Sequence, residues 1–479
     1  MTNRNGFSPA LSPRFLDKLV PEADTQGEVS ITSMAVLRVF FGMVMVYSLS
    51  RFLFAGWVDE LWIRPSFFFK YQGASWMPVW EPTGLYLHLG ITLSAAVLIT
   101  LGLFTRSALL VFGLGFLGLQ LFDKTNYLNH YYLVICLIVP LILSPCGEAI
   151  SLDVWRGALP LRVRAPAWNL GLFRFQVGIV YLFAAIAKMG NDWLIHAQPL
   201  GIWLSSRGDL PLIGGLLSRP ESAFIMSWLG FLYDLLIVVF LYWRRSRSWA
   251  YLVVLTFHGI TWCLFDIGIF PLLMSVLTPI FFNPDWPQSA LKRLTTIRFK
   301  DKGRDDSLTL VEEPQSSRHR DLTQLFLGWA LAIWCGFHLL FPLRTFLLED
   351  QVLWSERGMR YSWRVMVREK MGSITYRIRP LSGTREWEVN PRKYVQPRQL
   401  SEMSGQPDMI WELAHWIAQD MRAHFGEPVA VYVDALVSLN GRPPQRLINP
   451  DLNLIEVTLD DPRLIMPPPT TPPLHQVIR

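Results

Sequence analysis

The stretch FRFQVGIVYLFAAIAKMGNDW (Phe173–Trp193) decides how the rest of the chain is read. From Phe175 to Ala187 no residue carries a charge, and Lys188 closes the run. A helix needs roughly 17–25 mostly apolar residues to cross the hydrocarbon core of a bilayer. Extended backwards to Leu170, this stretch meets that length, and the same signature recurs along the chain. Candidate spans fall near 31–54, 84–104, 107–123, 130–145, 170–188, 222–243, 248–264, 267–283 and 322–343. Composition agrees: of 479 residues 51% are hydrophobic and only 17% charged. An average soluble domain has about a quarter of its residues charged. Disordered, collagen-like and small disulfide-scaffold classes are excluded. The excess of 44 Lys+Arg over 38 Asp+Glu is small, and basic and aromatic residues lie in different stretches. Membrane lipid is therefore an expected partner and nucleic acid is not.

Loop charges predict an orientation. Basic residues gather after the second span (Arg106), between the fourth and fifth (Arg156, Arg162, Arg164) and between the sixth and seventh (Arg244, Arg245, Arg247). The linker from about 284 to 321 adds Lys292, Arg293, Arg298, Lys300, Lys302, Arg304, Arg318 and Arg320. The positive-inside rule then places a polar N-terminal segment, 1–30, in the cytoplasm and everything after 344 outside. Met1 to Ser30 lacks the apolar stretch of a secretory signal, so the first span is expected to serve as an uncleaved anchor. No Asn-x-Ser/Thr sequon occurs, which favours a bacterial inner membrane.

The expected fold is a membrane α-helical bundle of about nine transmembrane helices, 31–345, followed by an extracytoplasmic α+β domain, 346–462. Within that domain Tyr361, Trp363, Val365 and Val367 alternate as in a strand with one buried face. Ser373–Arg379 and Val429–Leu439 read as further strands. Ile410, Leu413, Ile417 and Met421 recur at helical spacing, and Asn440-Gly441 marks a turn. The Pro-rich tail, 463–479, is expected to be disordered from Ile465 onward.

The outward ends of the spans collect most of the polar groups near the apolar core: Asp123, Lys124, Asn129 and His130, then Lys188, Asp192 and Trp193, then His258. Tyr181 lies on the helix that Lys188 closes. A lysine in that place can simply snorkel to the interface. Alternatively, it is a partly buried amine whose ammonium form is disfavoured, which makes it a base near neutral pH. Asp192, four residues on, could instead hold it charged. His130 is either structural or, with Asn129 beside it, part of a polar pocket, since an Asn–His pair facing lipid would be costly. His258 reads as a packing histidine. Cys136, Cys146, Cys263 and Cys335 read as small core residues, with no metal site among them.

Several of these stretches carry a family resemblance. DKTNYLNHYYL (Asp123–Leu133), the opening stretch and FHGITWCLFDIGIF (Phe257–Phe270) resemble the vitamin K-dependent γ-glutamyl carboxylase family and, more broadly, the horizontally transferred transmembrane (HTTM) domain. LWSERGMRYSWRVMVREK (Leu353–Lys370) and VYVDALVSLNGRPPQRLINP (Val431–Pro450) extend the likeness into the C-terminal part. It runs from about residue 30 to 455.

The resemblance implies a lyase that couples quinol epoxidation to carboxylation. In the family, reduced vitamin K is deprotonated and reacts with O2. The strong base so formed removes a γ-proton from a glutamyl residue, and CO2 traps the carbanion. The lysine of the family's Lys-x-x-x-Asp-Trp stretch, assigned to quinol deprotonation, matches Lys188. The histidine assigned to the carbanion step matches His130, next to Asn129. By the same likeness Trp354, Trp363 and Asn440 are expected in the part that presents a Glu-containing polypeptide on the extracytoplasmic side. The implied cofactor is reduced vitamin K or menaquinone, with O2 and CO2 as co-substrates. The chain departs from the pattern at Tyr127-Leu128 (Trp-Asn in the family), at Ala187 (a lysine) and at Arg368 (a histidine in animal members), and it lacks the animal-type disulfide cysteines. Two other functions stay open: a quinol epoxidase without protein carboxylation, and a quinone- or lipid-binding membrane module without turnover. A mere binder has no use for a base, which counts against the latter.

Overall fold

Each apolar stretch becomes a helix because backbone amides have no partner in lipid but one another. The computed structural model describes residues 14–296, 319–348 and 351–473. Arg298, Lys300, Lys302, Arg304 and Arg318 of the basic linker lie outside the described residues, as do 1–13 and 474–479. The nine expected spans coincide with α1 (Thr32–Phe54), α2 (Pro82–Leu101), α3 (Thr105–Leu121), α4 (Asn129–Leu143), α5 (Trp168–Ala187), α6 (Pro220–Tyr242), α7 (Arg247–Leu264), α8 (Phe270–Leu277) and α9 (His319–Leu340).

Nine crossings are nevertheless more than the helices themselves carry. Among the described residues five are long and apolar enough to cross a membrane: α1, α2, α5, α6 and Leu325–Phe346. The fifteen residues of α4 rise only about 22 Å, short of a hydrocarbon core of roughly 30 Å. Consecutive helices run alternately toward and away from the C-terminal part. At the near end, Lys70, Lys124, Asp192 and Trp203 all bond to it. At the far end, residues 28–30 pair with 164–166, and Glu22 bridges Arg174 and Arg247. Close approach has a sequence cause: a side chain at Gly42 would collide with Thr100, so glycine lets α1 and α2 touch.

The C-terminal part contains an antiparallel sheet, β1 (Lys370–Pro380), β2 (Trp387–Val389), β3 (Val429–Leu439) and β4 (Gln445–Arg446), in the order β2-β1-β3-β4. Ile374, Tyr376 and Ile378 pair with Ala435, Val433 and Val431, and all six are buried on one face. The period of two does this, since alternate side chains share a face. Helix α10 (Pro407–Phe425) covers that face with Ile410, Leu413 and Ile417. Two of the three expected strands, the helix and the Asn440-Gly441 turn are present, with φ at 51° and 79° in the turn.

Two expectations fail here. Residues 361–367 form no strand: Tyr361, Trp363 and Met366 lie in the left-handed region, at φ 63°, 56° and 55°. The alternation has another origin. Trp363 enters the membrane-bundle core against Tyr132, Val365 faces a cavity between helices, and Val367 packs in the cluster with Trp193. The tail is not free over its described length either. Met466 accepts a bond from the Trp354 indole and donates to Leu447, and the Thr471 carbonyl accepts from Arg442. Bundle and sheet also share cores, because Phe67 and Phe69 from the α1–α2 connection pack beside Trp354 and Tyr376. The boundary at 345/346 thus separates two elements of one packed body. Cys263 is exposed, unlike the three buried cysteines.

Candidate active site

Lys188 follows the last residue of α5, where the helix ends and the chain turns under the C-terminal sheet. Its Nζ lies 2.7 Å from Asp234 Oδ2 on α6, 3.5 Å from the Val365 carbonyl and 5.2 Å from the centre of the Trp193 ring. Both charged side chains are more than nine-tenths buried. A buried pair of this kind is net neutral, and removing either partner strands a charge in apolar surroundings. The partner expected from sequence, Asp192, is occupied elsewhere. It holds Arg442 through both oxygens, at 2.6 and 2.7 Å, and accepts from the Asn440 amide. Burial alone would raise the Asp192 carboxyl, but Arg442 and Asn440 reverse that and hold it below the usual carboxylate range.

Lys188 and Asp234 stand in the wall of a cavity of about 730 Å³ between α5, α6, α7 and the 361–367 segment. Two of its other polar groups, Tyr181 and His258, are joined through Tyr233 behind the wall. Tyr181 and Tyr233 hydroxyls lie 3.1 Å apart, and His258 Nε2 is 3.2 and 3.3 Å from them. His258 thus belongs to this hydroxyl cluster, beyond the packing role its sequence position suggested. Phe270 separates it from His130, with ring centres 6.0 and 6.2 Å away. His130 lines neither this cavity nor its polar neighbour; it lies behind Phe270, beside Gly268, where φ is 61° and a Cβ would come within 3.1 Å of His130 Nε2. Only glycine accommodates both conditions at once.

A second, polar cavity of about 200 Å³ adjoins the first. Lys124, Asn129, Arg360 and Arg368 line it together with Glu356 and Glu402. Most of its charges are matched. Lys124 contacts Asp408 and Glu412 at 3.0 and 2.6 Å, Arg360 contacts Asp408 at 2.9 Å, and Arg368 contacts Glu356 at 2.9 Å. Burial would raise Asp408, yet Arg360 and Lys124 hold its carboxyl at about 2. Asp123 is buried against the Gln399 amide (2.6 Å) and the Thr125 hydroxyl (2.8 Å), and burial raises its carboxyl. Asn129 reaches the Arg364 carbonyl.

The structure therefore brings Lys188, Tyr181, Trp193 and His258 to one cavity, and Lys124 and Asn129 to the other. Trp354, Trp363 and Asn440 are buried in joints that hold the C-terminal part together and to the bundle. Asp234 and Tyr233 were missed from sequence. A lone carboxylate inside an apolar span is itself a functional signal, and Asp234 is the only charged residue between Ser222 and Tyr242.

A membrane protein with a buried lysine–carboxylate pair in an apolar cavity, roofed by an α+β region, is the class defined by this geometry. The HTTM domain matches residues 27–286, more than half the chain, and the vitamin K-dependent gamma-carboxylase lumenal domain matches 323–468. The chain belongs to the vitamin K-dependent gamma-carboxylase family. No solved structure matches it.

Proposed function

We propose that this protein is an integral-membrane, quinol-dependent γ-carboxylase that adds CO2 to glutamyl side chains of an extracytoplasmic polypeptide. The observation that carries this reading is the Lys188–Asp234 pair in an apolar cavity of about 730 Å³. Sites for organic ligands of this size are typically 300–1,000 Å³, mostly apolar with a few placed polar groups. Nε2 of His130 and Nδ1 of His258 are among the buried imidazole nitrogens with no hydrogen-bond partner among the described residues. Orphaned groups of that kind ask for a ligand or water, and the hydroxyls of a quinol suit them. When bound, reduced vitamin K or a menaquinol, with O2, supplies the strong base that no side chain can provide and leaves as the epoxide.

The protein's own part is proton handling and placement. Lys188 Nζ takes a proton from a hydroxyl held in the cavity, and Asp234 fixes the amine and balances its charge. Tyr181 and His258, held by the Tyr233 hydroxyl, orient the far side of the ring. His130, between Asn129 of the polar cavity and Phe270 of the apolar one, stabilises charge developing on the acceptor. The polar cavity, too small for a quinone, takes the glutamyl side chain. Nine crossings, a cytoplasmic N-terminus and an outward C-terminal part complete the proposal. Reporter fusions at residue 300 and after residue 479 are expected to report opposite sides, and both reporting the cytoplasm would defeat it.

A second reading keeps quinol epoxidation with a different acceptor. It draws on the polar cavity, where the departures from the family pattern collect: Arg368 is held by Glu356, and Tyr127 lines the wall. Purified protein given labelled bicarbonate, reduced quinone and a Glu-rich peptide is expected to fix label in the peptide and form epoxide. Epoxide without label selects the second reading, and neither product refutes both.

A further inference from the structure

The two cavities share a single lining residue, Met366. We propose that Met366 is a positioning residue, the septum that lets base generated in the apolar cavity meet the acceptor while keeping out the water of the polar one. The inference rests on the carboxylase reading above. Val365 faces the apolar side, and its carbonyl receives Lys188. Arg364 lines the polar side. The backbone around them is clamped. The Tyr127 hydroxyl accepts from the Tyr361 amide at 2.7 Å, Trp363 is fully buried against Tyr132, and Asn129 donates to the Arg364 carbonyl.

Met366 itself sits at φ 55°, a conformation that side chains bearing a Cβ seldom adopt. Strained backbone of this sort persists where the surroundings over-determine it, and it clusters at functional sites. Methionine suits a septum because it is unbranched, fills irregular gaps and offers no acidic proton. The chemistry requires such a wall. If water reaches the base, water gives up the proton, hydroxide remains, and the glutamyl C–H bond stays intact. Quinol is then oxidised with no carbon fixed. Excluding water prevents that side reaction.

The experiment measures epoxide formed per carbon fixed in Met366→Ala and Met366→Leu. Misplacement of reacting groups by about 1 Å costs on the order of a hundredfold, so Met366→Ala is expected to raise the ratio about tenfold or more. Leucine, of similar volume, is expected to keep the ratio near that of the unaltered protein. An unchanged ratio in Met366→Ala, or an equal fall of both products, overturns the proposal. A second measurement needs no turnover. In Met366→Cys, maleimide labelling above the background of the unaltered cysteines is expected to slow with oxidised vitamin K alone and with a glutamyl pentapeptide alone. Protection by only one of them, or by neither, overturns the septum. Protection by both in a protein that fixes no carbon sustains the septum and refutes the carboxylase reading alone.

Discussion

Lys188 and Lys124 are both buried lysines at the same end of the bundle, and each has 7% of its side chain exposed. Their surroundings differ. Lys124 is claimed by two carboxylates of α10, Asp408 and Glu412, so it is a bolt between the bundle and the C-terminal part. Lys188 has one carboxylate, a distant carbonyl and an apolar cavity in front of it. A buried charge with all its partners in the protein is structural, whereas one with a single partner and open space before it can exchange a proton with a ligand. The comparison predicts opposite phenotypes: loss of chemistry at Lys188 and loss of stability at Lys124.

The largest effect is expected for Lys188→Ala, which should abolish epoxide formation and carboxylation together, because no base then acts on the quinol. Asp234→Asn should lower both products in parallel, because the neutral amide cannot balance the charge the amine gains on taking the proton. Full epoxidation by folded Lys188→Ala would remove the distinction between the two lysines. Partial rescue by a small added amine would sharpen it. The measurement is both products from one reaction.

His130→Ala is expected to be intermediate and selective. His130 is separated from the apolar cavity's His258 by Phe270 and follows Asn129, which lines the polar cavity. Carboxylation should fall about tenfold to a thousandfold, the scale seen when a stabilising hydrogen-bond donor is lost, and epoxidation much less. Equal loss of both products would place His130 with Lys188 on the quinol side.

How much of this was legible follows from what each part must satisfy. Lipid demands long apolar runs, so the helices could be read directly, and the sheet pairs announced themselves by their period of two. The 361–367 segment deceived because alternation reports burial, and its residues are buried against helices distant in sequence. Lys188 and His130 could be found as polar groups at helix ends. The partner of Lys188 could not be found by proximity along the chain, since α5 ends at Ala187 and the following turn aims Asp192 at Arg442. Asp234 was visible as a lone acid, but its pairing needed α6 to be packed on α5. Met366 has no sequence signal, because a septum is a property of two cavities.

The smallest effect belongs to the Lys124 joint. Arg360 and Lys124 hold the Asp408 carboxyl at about 2 in the folded protein, against about 3.9 for an unperturbed aspartate. An acid whose folded value is depressed stabilises the fold above its unfolded value, and that stabilisation is lost as pH falls through the folded one. The window is therefore about pH 4 down to 2, and the contribution is on the order of 2 kcal/mol. Asp408→Asn should remove that part of the acid sensitivity while costing little at pH 7 beyond the same amount. Lys124 keeps Glu412 in the variant, which is why the loss stays small. Thermal unfolding of the detergent-solubilised protein between pH 5 and 2.5 gives the test. Identical pH slopes for the unaltered protein and Asp408→Asn would mean that the joint is held by Glu412, the shared apolar cores and Asp192–Arg442, with Asp408 adding nothing.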